Sequence, residues 1–115
     1  MPFGYVYGIQ SGLFIKVGMT KNIRLRLREM NLYNPHPCKV VVRRRCEHPR
    51  AVEKRIHELL AKHAIGREWF VATPQQVREA ASIAQKEERN RLIELARREK
   101  EEDERGNVSE SVPHA

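Results

Sequence analysis

The 115 residues contain no apolar run long enough to span a bilayer and open with no secretory signal, so a soluble, cytoplasmic chain is expected. Cysteine is scarce. The two present are expected to stay as thiols in an intracellular setting. Acid is scarce over residues 1–72, where 5 Glu stand against 14 Lys and Arg, a net of +9. Residues 73–115 reverse that balance, with 10 acids against 8 bases. The whole chain carries +7. A small basic core attracts polyanions, of which nucleic acid is the usual one. The length suits one domain of roughly 75 residues with an extension.

The stretch Gly4-Tyr5-Val6-Tyr7-Gly8-Ile9-Gln10-Ser11-Gly12-Leu13-Phe14-Ile15-Lys16-Val17-Gly18 reads as a β-hairpin, with aromatic and β-branched arms around a Ser-Gly turn. With Ser11 and Gly12 as the loop, Gln10 pairs with Leu13. Tyr7 then faces Lys16, Tyr5 faces Gly18 and Ile9 faces Phe14. Directly paired Cβ atoms lie about 5 Å apart, close enough for phenol and ammonium to meet. Taken alone, the hairpin also reads as an amphipathic stem whose polar groups snorkel to water.

Asn22 is placed to cap a helix over about Ile23 to Met30, with Ile23, Leu27 and Met30 as its apolar stripe. Arg24, Arg26 and Arg28 lie off that stripe. The turn-rich stretch from Asn31 to Pro37 ends the helix. Cys38 to Cys46 reads as a buried strand running into Arg43-Arg44-Arg45. His36 and Cys38 mirror Cys46 and His48 as zinc ligands, but a strand between them separates the two pairs by about 25 Å, too far for one tetrahedral ion. Pro49 opens a second helix, expected to reach His63, whose stripe is Val52, Ile56, Leu59, Leu60 and His63. Glu53 edges that stripe with His57 one turn on. A short strand is expected after Gly66, to about Ala72, with Trp69 and Phe70 in the core. Thr73-Pro74-Gln75-Gln76 forms a capping box, and the helix it starts buries Val77, Ala80, Ala81 and Ala84. From Gln85 to Arg105, 15 of 21 residues are charged, with i,i+4 pairs that suit a solvated helix. The expected division is therefore a folded domain over 1–84, a charged helical extension over 85–105 and a disordered tail over 106–115.

The hairpin resembles the paired motif of the GIY-YIG nuclease family. Val6-Tyr7-Gly8-Ile9 stands at the first motif, and Lys16-Val17-Gly18 stands where the second has Tyr-Ile-Gly. With Ile15-Lys16-Val17-Gly18-Met19-Thr20 and Gly66-Arg67-Glu68-Trp69-Phe70, the chain is similar to a short, phage-type branch of that family over about residues 4–80. The resemblance implies an α+β fold: a central three-stranded, mainly antiparallel sheet flanked by helices, extended here by a long charged C-terminal helix. It implies a metal-dependent endonuclease that hydrolyses DNA phosphodiester bonds. Tyr7 would be the general base and Lys16 would favour its phenolate in place of the missing second tyrosine. Arg26 would hold the phosphate, and Glu53 would ligate Mg²⁺ or Mn²⁺. His57 would contact the phosphate, assist proton transfer or orient Glu53. Lys21, Arg24, Arg28 and Arg67 are the expected nucleic-acid contacts. The partner implied is DNA, with no membrane and no small-molecule cofactor, and the C-terminal helix offers a surface for a protein partner or self-association. The family's asparagine after the glutamate has no counterpart between Glu53 and residue 89. That absence supports the alternative of a catalytically weak or inactive nucleic-acid-binding module of the same fold.

Overall fold

β1 (Gly4–Ser11) lies inside a four-stranded antiparallel sheet of order β3-β1-β2-β4, between β3 (Cys38–Cys46) and β2 (Phe14–Thr20). The structure is a computed structural model that describes the backbone of residues 3–111 and the side chains of residues 3–106. Val6, Tyr7, Gly8 and Ile9 are all buried, because β1 has a neighbour on each side and a layer on each face. One face carries Tyr7 and Ile9 and packs on α1 (Ile23–Tyr33) through Ile23, Leu27 and Met30. The other carries Val6, Ile15, Val17 and Val42. It packs on α2 (Pro49–Leu59) through Val52 and Ile56, and on α3 (Pro74–Ser111) through Val77, Ala80, Ala81 and Ala84. The sheet is therefore a central layer with helices on both sides.

The hairpin differs from expectation by two residues. Its loop is Gly12-Leu13, so Ser11 pairs with Phe14, Ile9 with Lys16, Tyr7 with Gly18 and Tyr5 with Thr20. The cause is backbone conformation: Gly12 has φ +63°, and a tight hairpin places glycine, not serine, where φ must be positive. A shift of two leaves every side chain on its expected face and changes only its partner. The sheet also has four strands rather than three. β4 is only Trp69–Phe70, shorter than the expected run to Ala72, and it adds to the outer edge of β2 against Ile15 and Lys16.

Asn22 Oδ1 accepts the Leu25 N–H at 3.0 Å and starts α1 as expected. The helix continues three residues past Met30 and stops at Asn34, whose side-chain amide donates to the Met30 carbonyl at 2.7 Å just before Pro35. α2 starts at Pro49 but ends at Leu59, and Ala61–His63 is a separate 3₁₀ turn rather than its last turn. Before α3, Thr73 Oγ1 accepts from the Gln76 N–H at 3.1 Å, and the Thr73 N–H donates back to Gln76 Oε1 at 2.9 Å.

α3 is one helix of 38 residues that passes without a break through the expected boundaries at 84 and 105. Its docked part extends beyond Ala84. Gln85 donates to the Arg45 carbonyl at 2.8 Å, Glu87 pairs with Arg55 at 2.7 Å, and Glu88 is buried. Past half-buried Leu92 the described side chains are exposed. Residues 106–111, expected in a tail, are helical, and 112–115 lie outside the described residues. No helix among the described residues is long and apolar enough to cross a membrane.

Because the Thr73 cap sets where α3 meets the sheet, Thr73→Ala should lower stability by about 1 kcal/mol in urea denaturation. Glu87→Ala removes only an exposed pair and should leave the urea midpoint nearly unchanged in the same measurement.

Candidate functional site

The two-residue β4 decides where the site lies. It covers the edge of β2 at Ile15 and Lys16. The Val17 N–H then donates to the Glu68 carbonyl at 2.9 Å, and the Val17 carbonyl accepts from His57 Nε2 at 2.9 Å. Beyond Val17 no strand among the described residues covers the outer edge of β2, and a cleft of about 490 Å³ opens there. Tyr7, Arg26, Glu53, His57 and Glu68 line it, with Arg50 and Lys54 beside them.

Tyr7 reaches the cleft by crossing its pairing partner. Its phenol lies over Gly18, where an added Cβ would sit 2.5 Å from the Tyr7 hydroxyl and 2.7 Å from Cζ. Glycine is required for that close approach. Arg26 projects from α1 and donates from Nε to the Tyr7 hydroxyl oxygen at 3.0 Å, while its Nη1 lies 3.8 Å from Glu29. Burial pushes the Tyr7 pKa above its ordinary value of 10.0. The Arg26 hydrogen bond and charge oppose the rise, and the Glu68 and Glu53 carboxylates add to it. Tyr7 is therefore a neutral phenol at pH 7.

This corrects the expected pairing of Tyr7 with Lys16. The cation on the phenol is Arg26. Lys16 lies between Ile9 and Trp69 in the sheet, with Nζ 3.5 Å from Glu68 and 5.9 Å from the Trp69 ring centre. The two-residue register change moved it off Tyr7.

Glu53 and His57 come from successive turns of α2. A backbone carbonyl can only accept, so His57 carries its proton on Nε2 when neutral. The same nitrogen is 3.7 Å from Glu53 Oε1, and the ring stands edge-on to Phe70 at 5.1 Å. The Nε2 proton goes to the Val17 carbonyl, so His57 ties α2 to β2 and makes no hydrogen bond to Glu53 at that distance. Burial raises the Glu53 pKa above 4.5, Glu68 adds to the rise, and His57 and Arg50 oppose it. Glu53 and Glu68 are the oxygen donors facing the cleft. A hard divalent cation held mostly by water and phosphate needs no larger donor set.

Three cleft residues had no role in the sequence reading. Arg50 and Lys54 stand at i−3 and i+1 from Glu53, and with His57 they make a polar stripe at helical spacing. That periodicity was visible beside the apolar one. Glu68 gave no such signal, because a two-residue strand has no alternation to follow. Lys21, Arg24, Arg28 and Arg67 are exposed and do not line the cleft, although Lys21 borders the groove beside it. Trp69 packs against the α1-side core and Phe70 is buried, as expected of core residues. The His36/Cys38 and Cys46/His48 pairs sit at opposite ends of the nine-residue β3. Among the described residues no group of three or more His, Cys, Asp or Glu could hold a metal ion.

Gly18→Ala should destabilise the fold by about 1–3 kcal/mol in urea denaturation, because the phenol has to leave its place over β2. The raised Glu53 pKa has a definite sign. Above the unfolded pKa the buried carboxylate costs stability, and protonation removes that cost as pH falls. Glu53→Gln should raise Tm in metal-free buffer at pH 7, with a smaller gain at pH 4, read by calorimetry.

Residues 4–85 match the model of the T5orf172 domain, a phage-associated domain related to GIY-YIG and HNH-type nucleases. Neither a curated protein nor a solved structure matches the chain. The matched residues span the whole sheet, α1, α2 and the first turns of α3, and this chain belongs to the T5orf172 domain family.

Proposed function

We propose that the chain is a metal-dependent endonuclease of the GIY-YIG type that hydrolyses DNA phosphodiester bonds in the cleft between Tyr7 and Glu53. The observation that carries this reading is the convergence of the Tyr7–Arg26 pair and Glu53, from different elements, on one basic-rimmed cleft. Phosphodiester hydrolysis needs a deprotonated nucleophile, positive charge on the phosphate and help for the leaving oxygen.

Tyr7 is the general base in this scheme. Its hydroxyl oxygen already accepts from Arg26, which favours the phenolate needed to take a proton from water. The rest of the Arg26 guanidinium can reach a phosphate oxygen and stabilise charge that grows there. Arg50 and Lys54 hold the neighbouring backbone. Glu53 and Glu68 would hold Mg²⁺ or Mn²⁺, which when bound supplies positive charge near the leaving oxygen. Lys16 acts through Glu68, whose carboxylate it steadies at 3.5 Å. A binding module that has lost cleavage is the second reading. It is favoured by the absence of asparagine from the cleft and by a base that rests protonated.

The deciding experiment compares cutting of nicked, branched, duplex and single-stranded DNA with Mg²⁺ or Mn²⁺ by wild type and Glu53→Ala. Metal-dependent cutting that falls at least about 100-fold in the variant is expected. No cutting by either protein, with salt-sensitive DNA binding by both, would replace this reading with the binding module. The resting phenol adds a pH test. Single-turnover rates should rise about tenfold per unit between pH 7 and 9. Arg26→Met should displace the profile further towards high pH, whereas Lys16→Met should lower the rate without moving the profile.

A further inference from the structure

Next to the cleft lies a larger groove of about 720 Å³, bounded by the start of β1, the end of β2 and the first turn of α2. Phe3, Met19, Pro49 and Ala51 supply apolar walls, and Lys21, Arg50 and Lys54 supply positive charge. Glu47 is the one acid lining it among the described residues. We propose that this groove takes an unpaired nucleotide next to the scissile phosphate, so that gapped or single-stranded DNA is preferred over continuous duplex. The proposal rests on the nuclease reading for the term scissile, and it adds the substrate class.

Continuity with the cleft is the first support. Met19, Arg50 and Lys54 line both spaces, so a strand whose phosphate lies by Arg26 and Glu53 runs on past Arg50 and Lys54 into the groove. Charge is the second. His48 gives α2 no side-chain cap, so first-turn N–H groups and the positive end of the helix add to the lysine and arginine side chains facing a phosphate.

The apolar walls determine what accompanies that phosphate. Every base has an unsolvated face that stacks on aromatic and apolar side chains, whereas the sugar-phosphate chain does not. Phe3 is 41% exposed, yet its ring is braced: the Arg45 guanidinium lies 4.1 Å from its centre and Tyr5 meets it edge-on at 6.3 Å. A rigid, partly exposed aromatic beside a basic rim suits a stacking platform. Bases within a duplex already stack on each other, and drawing one out has a cost that is smallest where no partner strand holds it. The groove therefore favours unpaired nucleotides.

The test is metal-free fluorescence anisotropy with labelled DNAs of equal length: a full duplex, the same duplex with a one-nucleotide gap, and the single strand. An abasic residue is then walked through each unpaired segment. Gapped or single-stranded DNA should bind about tenfold tighter than duplex, and an abasic residue at one position should remove about that factor. Phe3→Ala should erase the preference while duplex binding stays unchanged. Equal tolerance of the abasic residue at every position, or equal weakening of all three DNAs by Phe3→Ala, would overturn the proposal. The abasic walk uses wild-type protein, so it decides the matter even if Phe3→Ala misfolds. Binding is read without metal and cutting separately with Mg²⁺ or Mn²⁺, so a position-specific abasic effect with no cutting in the metal assay would retain the subsite and remove only the nuclease reading. Cleavage without that effect would do the reverse.

Discussion

The hydrogen bond from Arg26 to Tyr7, made across the bare backbone of Gly18, is the contact on which the arrangement of the cleft depends. It requires a hairpin register that sets Tyr7 opposite a glycine. It requires α1 to start at Asn22, so that Arg26 comes down at the height of the phenol. The cleft also requires β4 to begin no earlier than Trp69, because pairing continued back through Arg67 would cover the edge of β2 at Gly18. A local turn, a cap and a strand length thus converge on one polar contact between the sheet and its helix.

The same cleft holds groups in conflict with their surroundings. Tyr7 and Glu53 both have raised pKa values, mainly through burial, with Glu68 adding to the rise of both and Glu53 to that of Tyr7. Positive charge from Arg26, His57 and Arg50 offsets part of this. A site that keeps a carboxylate and a phenol away from water in this way is poorly arranged for stability, which is common where groups are placed for function. Placing that tension at the rim of the sheet leaves the apolar core of Val6, Val17, Val52 and Ile56 undisturbed.

What could be read from the sequence was local. Asn22, the Thr73/Gln76 box, Pro49 and the limits of β3 each carry their own chemical signal, and each lies where expected. Register was harder. Moving the hairpin by two preserves the alternation of Tyr5, Tyr7 and Ile9, so apolar patterning could not separate the two pairings; only the positive φ of Gly12 does. Tyr7, Arg26, Glu53 and His57, singled out through the family resemblance, line one cleft. Glu68 was missed because its place comes from a long-range edge contact with Val17. The extent of α3 was underestimated for another reason. Gly106 looks like a helix end, yet it continues a helix whose charged i,i+4 pairs already suit solvent.

That continuity has a mechanical consequence. α3 is clamped near its start by its packing on the sheet, the Gln85–Arg45 contact and the Arg55–Glu87 pair, and then leaves the body as an unbroken rod. From Leu92 to Ser111 it projects roughly 28 Å at 1.5 Å per residue. A flexible tether would hold an attached body only within some radius of the cleft. A rod also sets its bearing, and each added or deleted residue would swing that bearing by about 100° around the helix axis. The phase of this segment, as much as its composition, therefore sets the bearing of its far end.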